Sequence, residues 1–126
     1  MIAISYIKNK ENIDIIRNFL REIHAQHLKI IAKIETPEAI QNIEDIVKYA
    51  DGIVIDRKKL TLLVGEQKTE RTKKEIIHYC HVYGKPIIMT TGLDMRSKNN
   101  AKTLQTLVEE IHAGVDTFML TKETAV

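Results

Sequence analysis

Leu28-Lys29-Ile30-Ile31-Ala32-Lys33-Ile34, then Thr36-Pro37-Glu38, then Asp51-Gly52-Ile53-Val54-Ile55 set the architecture of this 126-residue chain. The first run is short, apolar and β-branched, which predicts a strand. Thr36 then stands as an N-cap with Pro37 at the first helical position, a sequence-level helix start. Ile40, Ile43, Ile46 and Val47 follow at helical steps and predict one buried stripe. Asp51-Gly52 closes that helix and opens a third strand over Ile53 to Ile55. Two strands joined by a helix form the unit of a parallel sheet.

Working outward, the same unit recurs. Ile2 to Ile7 predicts a first strand, and Ile13, Ile16, Leu20 and Ile23 mark a helix capped by Asn9 or Asn12. After the third strand, Arg57 to Thr72 reads as a polar stretch around the apolar island Leu60 to Val64. A helix follows over roughly Glu70 to Tyr83, with Ile76, Ile77, Cys80 and Tyr83 inward and Gly84 at its end. Pro86 to Met89 starts a fourth strand, 92–100 reads as loop, Leu104, Leu107, Val108 and Ile111 mark a helix, and Thr117 to Leu120 is a fifth strand. The expected fold is α/β: five parallel strands with four crossover helices, the local plan of a (β/α)8 barrel in a single domain over 1–126. Five strands are too few to close a barrel.

Bulk composition bounds the function. The net charge of +2, from 19 basic and 17 acidic residues, gives no electrostatic case for a nucleic-acid partner. A single cysteine, Cys80, excludes an intrachain disulfide. No apolar run approaches a membrane span, and the N-terminus lacks the pattern of a signal peptide. A cytoplasmic protein is expected.

Several motifs together carry a family resemblance. Lys33-Ile34-Glu35, Ala50-Asp51-Gly52-Ile53, Gly84-Lys85-Pro86-Ile87-Ile88 and Asp116-Thr117-Phe118-Met119-Leu120 with Glu123-Thr124-Ala125 fall in order along the chain, after Ser5-Tyr6-Ile7. In this order and spacing they resemble the pyruvate kinase barrel domain, from its fourth strand to its eighth. No counterpart to the first three strands, the lid domain or the C-terminal domain appears in the match.

The resemblance implies roles. Lys33 would supply charge to a transferring phosphoryl group, Glu35 would be a magnesium ligand, and Thr91 would contact substrate. Period-2 geometry points Lys33 and Glu35 to one side at the strand's C-terminal end, where barrel enzymes place their chemistry; a solvated ion pair is the plainer alternative. The family's second magnesium ligand falls at Lys59, and its substrate-facing glycine at Lys58. A lysine has three donors and no acceptor, so Lys59 cannot ligate a cation. Asp56 lies three positions from Lys59, and a regular strand would aim it away as a replacement ligand. Lys58 and Lys59, with Arg57, form a basic cluster where the family binds anions; a solvated loop is the alternative. No cofactor is expected, weak magnesium binding being what the resemblance alone would allow.

His78 and His81 are three apart on one predicted helix, with Glu75 and Cys80 nearby, and read either as a metal pair or as surface histidines. His24 and His27 straddle a helix end, where a dipole contact suits them. The expected function is a catalytically inactive, pyruvate kinase-like protein acting by binding, as a decoy or regulator sourced from a mobile element, a virus or a duplicated gene. The alternative is an enzyme or anion binder whose oligomer completes a site for phosphoenolpyruvate or a 2-oxo acid. Either way a homo-oligomer or protein partner is expected. The sheet face carrying Ile31, Lys33 and Glu35 would lie open, and the outer strands would be unpaired edges.

Overall fold

A computed structural model of the chain describes residues 1–91 and 117–120, with side chains through Thr90. Strands β1 (Ile2–Ile4), β2 (Ile30–Lys33), β3 (Gly52–Asp56), β4 (Ile87–Thr91) and β5 (Thr117–Leu120) form one parallel sheet in the order β1-β2-β3-β4-β5. The expected helix over Leu104 to Ile111 lies outside the described residues. Among these residues no helix is long and apolar enough to cross a membrane.

The helices differ from expectation in number and bounds. α1 (Lys10–Glu22) is capped by Asn9, whose side chain accepts the Asn12 N–H at 3.0 Å. The second crossover splits at Asn42 into α2 (Pro37–Gln41) and α3 (Ile43–Tyr49). Thr36 caps α2 as predicted: its Oγ1 accepts the Ala39 N–H at 3.1 Å and donates to Ile7 O at 3.2 Å. The polar stretch Arg57 to Thr72, for which the sequence suggests no element before Glu70, is helical, forming α4 (Arg57–Val64) and the start of α5 (Glu66–Val82). Asp56 explains α4, because its Oδ1 accepts the N–H groups of Lys58 and Lys59 at 2.9 and 3.3 Å. Gly65, at φ 84°, then breaks the chain between the two helices. Charge pairs that apolar periodicity does not register hold the polar part of α5. Glu70 binds Arg57 at 2.9 Å and the buried Lys73 at 2.8 Å.

The two sheet faces carry different cores. Ile30, Ala32, Ile53, Ile55, Ile87 and Met89 face the helices and pack with Ile13, Leu20, Ile46, Val47 and Ile76. Ile31, Val54 and Ile88 form a second cluster on the opposite face. That face was expected to lie open, yet these residues are only 3%, 3% and 8% exposed in the single chain. Its apolar row is thus already covered. Toward the C-terminal strand ends the same face turns polar, because Lys33 aligns with Val54, and Asp56 with Thr90.

Asp51 and Gly52 mark close approaches where β3 begins. The Asp51 Oδ2 accepts the buried Ile30 N–H at 2.8 Å and an Arg17 guanidinium N–H at 3.2 Å. Arg17 also donates to Tyr49 O at 2.6 Å, so one carboxylate ties β2, β3 and α1 together. Burial would raise the Asp51 carboxyl, but the Ile30 hydrogen bond and the Arg17 charge outweigh it and hold it below its ordinary value. A Cβ on Gly52 would come within 2.8 Å of Ile31 Cδ1 and 3.3 Å of Pro86 O. A larger residue there would have to displace the end of the Ile31 side chain and press on Pro86.

Candidate functional site at the strand ends

Lys33 ends β2, Glu35 stands two residues beyond, and α4 begins beside them immediately after Asp56. This puts Lys33, Glu35, Asp56, Lys59 and Thr90 around one cavity of about 120 Å³, with Ile34 and Val54 completing its lining. Lys59 reaches it because a helical side chain leans back toward its own N-terminus. Its Nζ donates to Glu35 Oε1 at 2.7 Å, and Lys33 Nζ lies 3.5 Å from the same oxygen.

Exposure is uneven across this triad. The Glu35 side chain is 9% exposed, whereas Lys33 is 31% and Lys59 51% exposed. Burial would push the Glu35 carboxyl up. The Lys59 hydrogen bond, the Lys33 and Lys59 charges and a backbone hydrogen bond from Tyr6 outweigh it and hold the carboxyl below its ordinary value. Tyr6 reaches this position at φ 59°, in the left-handed region. The Lys59 ammonium is raised correspondingly, chiefly by its hydrogen bond to Glu35.

The sequence-predicted residues divide. Lys33, Glu35 and Lys59 come together. Lys58 does not line the cavity; its backbone N–H caps onto Asp56 and its side chain is exposed. Thr91 sits in β4, aligned with Leu120, and its side chain lies outside the described residues. Thr90, which sequence reasoning passed over, lines the cavity instead. Asp56 is a correction. It was expected to point away, but the strand stops at Asp56 and the chain turns into α4, so no pleat runs on to Lys59. An acid directly before a helical run was the available signal for this N-cap. His78 and His81 are exposed on α5, and Cys80 is buried.

The donor set does not suit the magnesium implied by the resemblance. Glu35 Oε1 is taken by two ammonium groups, and Asp56 Oδ1 by two backbone N–H groups. Among the described residues no group of three or more His, Cys, Asp or Glu side chains is placed to hold a metal ion.

Comparison with known proteins places this geometry. The family described as "Pyruvate kinase, barrel domain" matches residues 1–126. The chain is 36% identical to the pyruvate kinase of Mycoplasma pneumoniae, over 98% of this chain and 25% of that protein. It is 34% identical to that of Geobacillus stearothermophilus, over 98% and 22%. The crystal structure of Cryptosporidium parvum pyruvate kinase superposes with a TM-score of 0.85 at 27% identity, covering 98% of this chain and 27% of that one. The chain therefore spans about a quarter of the relatives it matches. By family match, relatives and fold alike, the chain belongs to the pyruvate kinase family and corresponds to part of its barrel domain.

Proposed function

We propose that the chain is a pyruvate kinase-like barrel segment that does not carry out metal-dependent phosphoryl transfer and works by binding. The observation behind this is the 2.7 Å contact between Lys59 Nζ and Glu35 Oε1. Phosphoryl transfer in this class depends on metal ions that bridge phosphate oxygens and neutralise developing charge. Here the carboxylate suited to hold such an ion is closed off by a lysine. Lys33 still presents positive charge at the strand end, but charge alone does not align the reacting oxygens. A coupled assay for ATP formation from phosphoenolpyruvate and ADP, with magnesium and potassium, tests this. The expected rate is background. A rate above background that disappears in Lys33→Ala overturns the proposal.

The binding partner proposed is a second copy of the chain. Among the described residues β1 is an outer strand of the sheet, and an outer strand can pair with another strand. Beside it a groove of about 390 Å³ runs along Ile4, Tyr6, Ile15 and Ile16. Ile15 and Phe19 on α1 and Ile23 at its C-cap follow at four-residue steps and are 66%, 56% and 53% exposed. A dimer mass by light scattering at micromolar concentration is expected, and a monomer mass rejects the self-association.

One observation favours a second reading, an enzyme or binding site for a small oxyanion such as phosphoenolpyruvate or a 2-oxo acid. Two lysines and Thr90 line the same cavity. Thermal shifts with phosphorylated three-carbon acids would support it, and flat melting curves would remove it.

A further inference from the structure

Lys59 occupies an unfavourable place for a cation. With Asp56 as N-cap it is the third residue of α4, inside the first turn, where the helix dipole favours negative charge. An acid there would complete the usual capping arrangement. Lysine is nonetheless held there, its ammonium hydrogen-bonded to a carboxylate that is 9% exposed. Lys33 supports the same oxygen from the other side at 3.5 Å. Remove Lys59, and Glu35 keeps a single, longer ion pair at the mouth of the cavity.

We propose that Lys59 is a tethered replacement for a dissociable divalent cation. Its ammonium neutralises Glu35, joins the end of β2 to the first turn of α4, and sets two lysines against two carboxylates in the cavity lining, a balance that does not come and go with metal supply. A corollary concerns one position. Lys59→Asp would remove the ammonium from Glu35 and add a carboxylate beside it, with Asp56 keeping its Oδ1 on the α4 cap and only Oδ2 to offer. That is an oxygen-rich donor set of the kind that magnesium and manganese take. The inference deepens the proposed function and rests on the same ion pair, but its test does not depend on turnover.

The test is direct titration of the intact chain with manganese, reading free ion by electron paramagnetic resonance, with melting temperature measured in parallel. The wild type is expected to bind no manganese at millimolar concentration and to melt identically with magnesium or with a chelator. Lys59→Asp is expected to bind manganese on the order of tenfold more tightly or better and to melt higher when it is present. Lys59→Met removes the repulsion without adding a ligand and is expected not to gain the site. Wild-type binding that Glu35→Gln abolishes overturns the proposal, as does a folded Lys59→Asp chain that gains nothing. The wild-type titration decides even if a variant fails to fold. Kinase activity without metal binding at Glu35 would sink the proposed function and leave this inference standing.

Discussion

Replacing Asp51 probes the tie between β2, β3 and α1. In Asp51→Ala the buried Ile30 N–H, 2.8 Å from Oδ2, loses its acceptor. An unsatisfied buried donor costs about 1–3 kcal/mol. The Arg17 pair, 3.2 Å apart and with side chains 29% and 23% exposed, disappears as well. A half-exposed pair of this kind contributes about 0.5 kcal/mol. Together the loss is about 1.5–3.5 kcal/mol, or roughly 6–14 °C in Tm for a domain of this size. Asp51→Asn keeps an oxygen for the Ile30 N–H and loses only charge, so it should cost about 1 kcal/mol or less. The folded carboxyl lies below its ordinary value of 3.8. Its contribution is therefore fully present above that value and lost as pH falls through the lower folded one. Urea denaturation of the three chains at neutral pH and at stepwise lower pH reads all of this. The reasoning fails if Asp51→Ala stays within about 0.5 kcal/mol of wild type, if Asn is as harmful as Ala, or if the difference does not shrink in acid.

Three further outcomes are expected. Thr36→Ala removes the α2 cap and the bond to Ile7 O, and should lower stability by about 1–2 kcal/mol in urea melts; an unchanged midpoint would show that the cap carries no weight. Gly52→Ala pushes a methyl group against Ile31 Cδ1 and the Pro86 carbonyl, and should cost about 1–3 kcal/mol, visible as a lower Tm. Glu35 has its carboxyl below the ordinary value of 4.5, so its stabilisation is present above that pH and lost as pH falls through the folded value. The stability gap between wild type and Lys59→Met should accordingly narrow in acid, and a pH-independent gap would refute the role assigned to that pair.

Much of the scaffold was legible because it rests on local signals. Thr36-Pro37 starts a helix by geometry intrinsic to those two residues. The β-branched runs at Ile30–Lys33 and Gly52–Asp56 are buried on both faces and read as strands without alternation. Lys33 and Glu35 could be paired in advance because period 2 fixes their shared side. What escaped depends on partners distant in sequence. α4 has only Leu60 fully buried, so apolar periodicity was weak there, and its start is set by Asp56. The Lys59–Glu35 contact spans 24 positions and the Arg17–Asp51 contact 34. No window of sequence reports either one. The break at Asn42 went unseen because the stripe from Ile40 to Val47 is continuous in composition.

The sheet order also bears on how the chain acquires its structure. Each strand pairs with the one made just before it, in the order β1-β2-β3-β4-β5. A nascent chain adding residues from its N-terminus can therefore dock each βα unit on a finished surface. Each pairing joins strands that are neighbours in the chain, so the entropy lost at each step is modest. Among the described strands no pairing waits for β1 and β5 to find each other, which keeps contact order low and favours quick assembly. A barrel closed on itself would lack this freedom, since its final strand must meet its first before the sheet is complete.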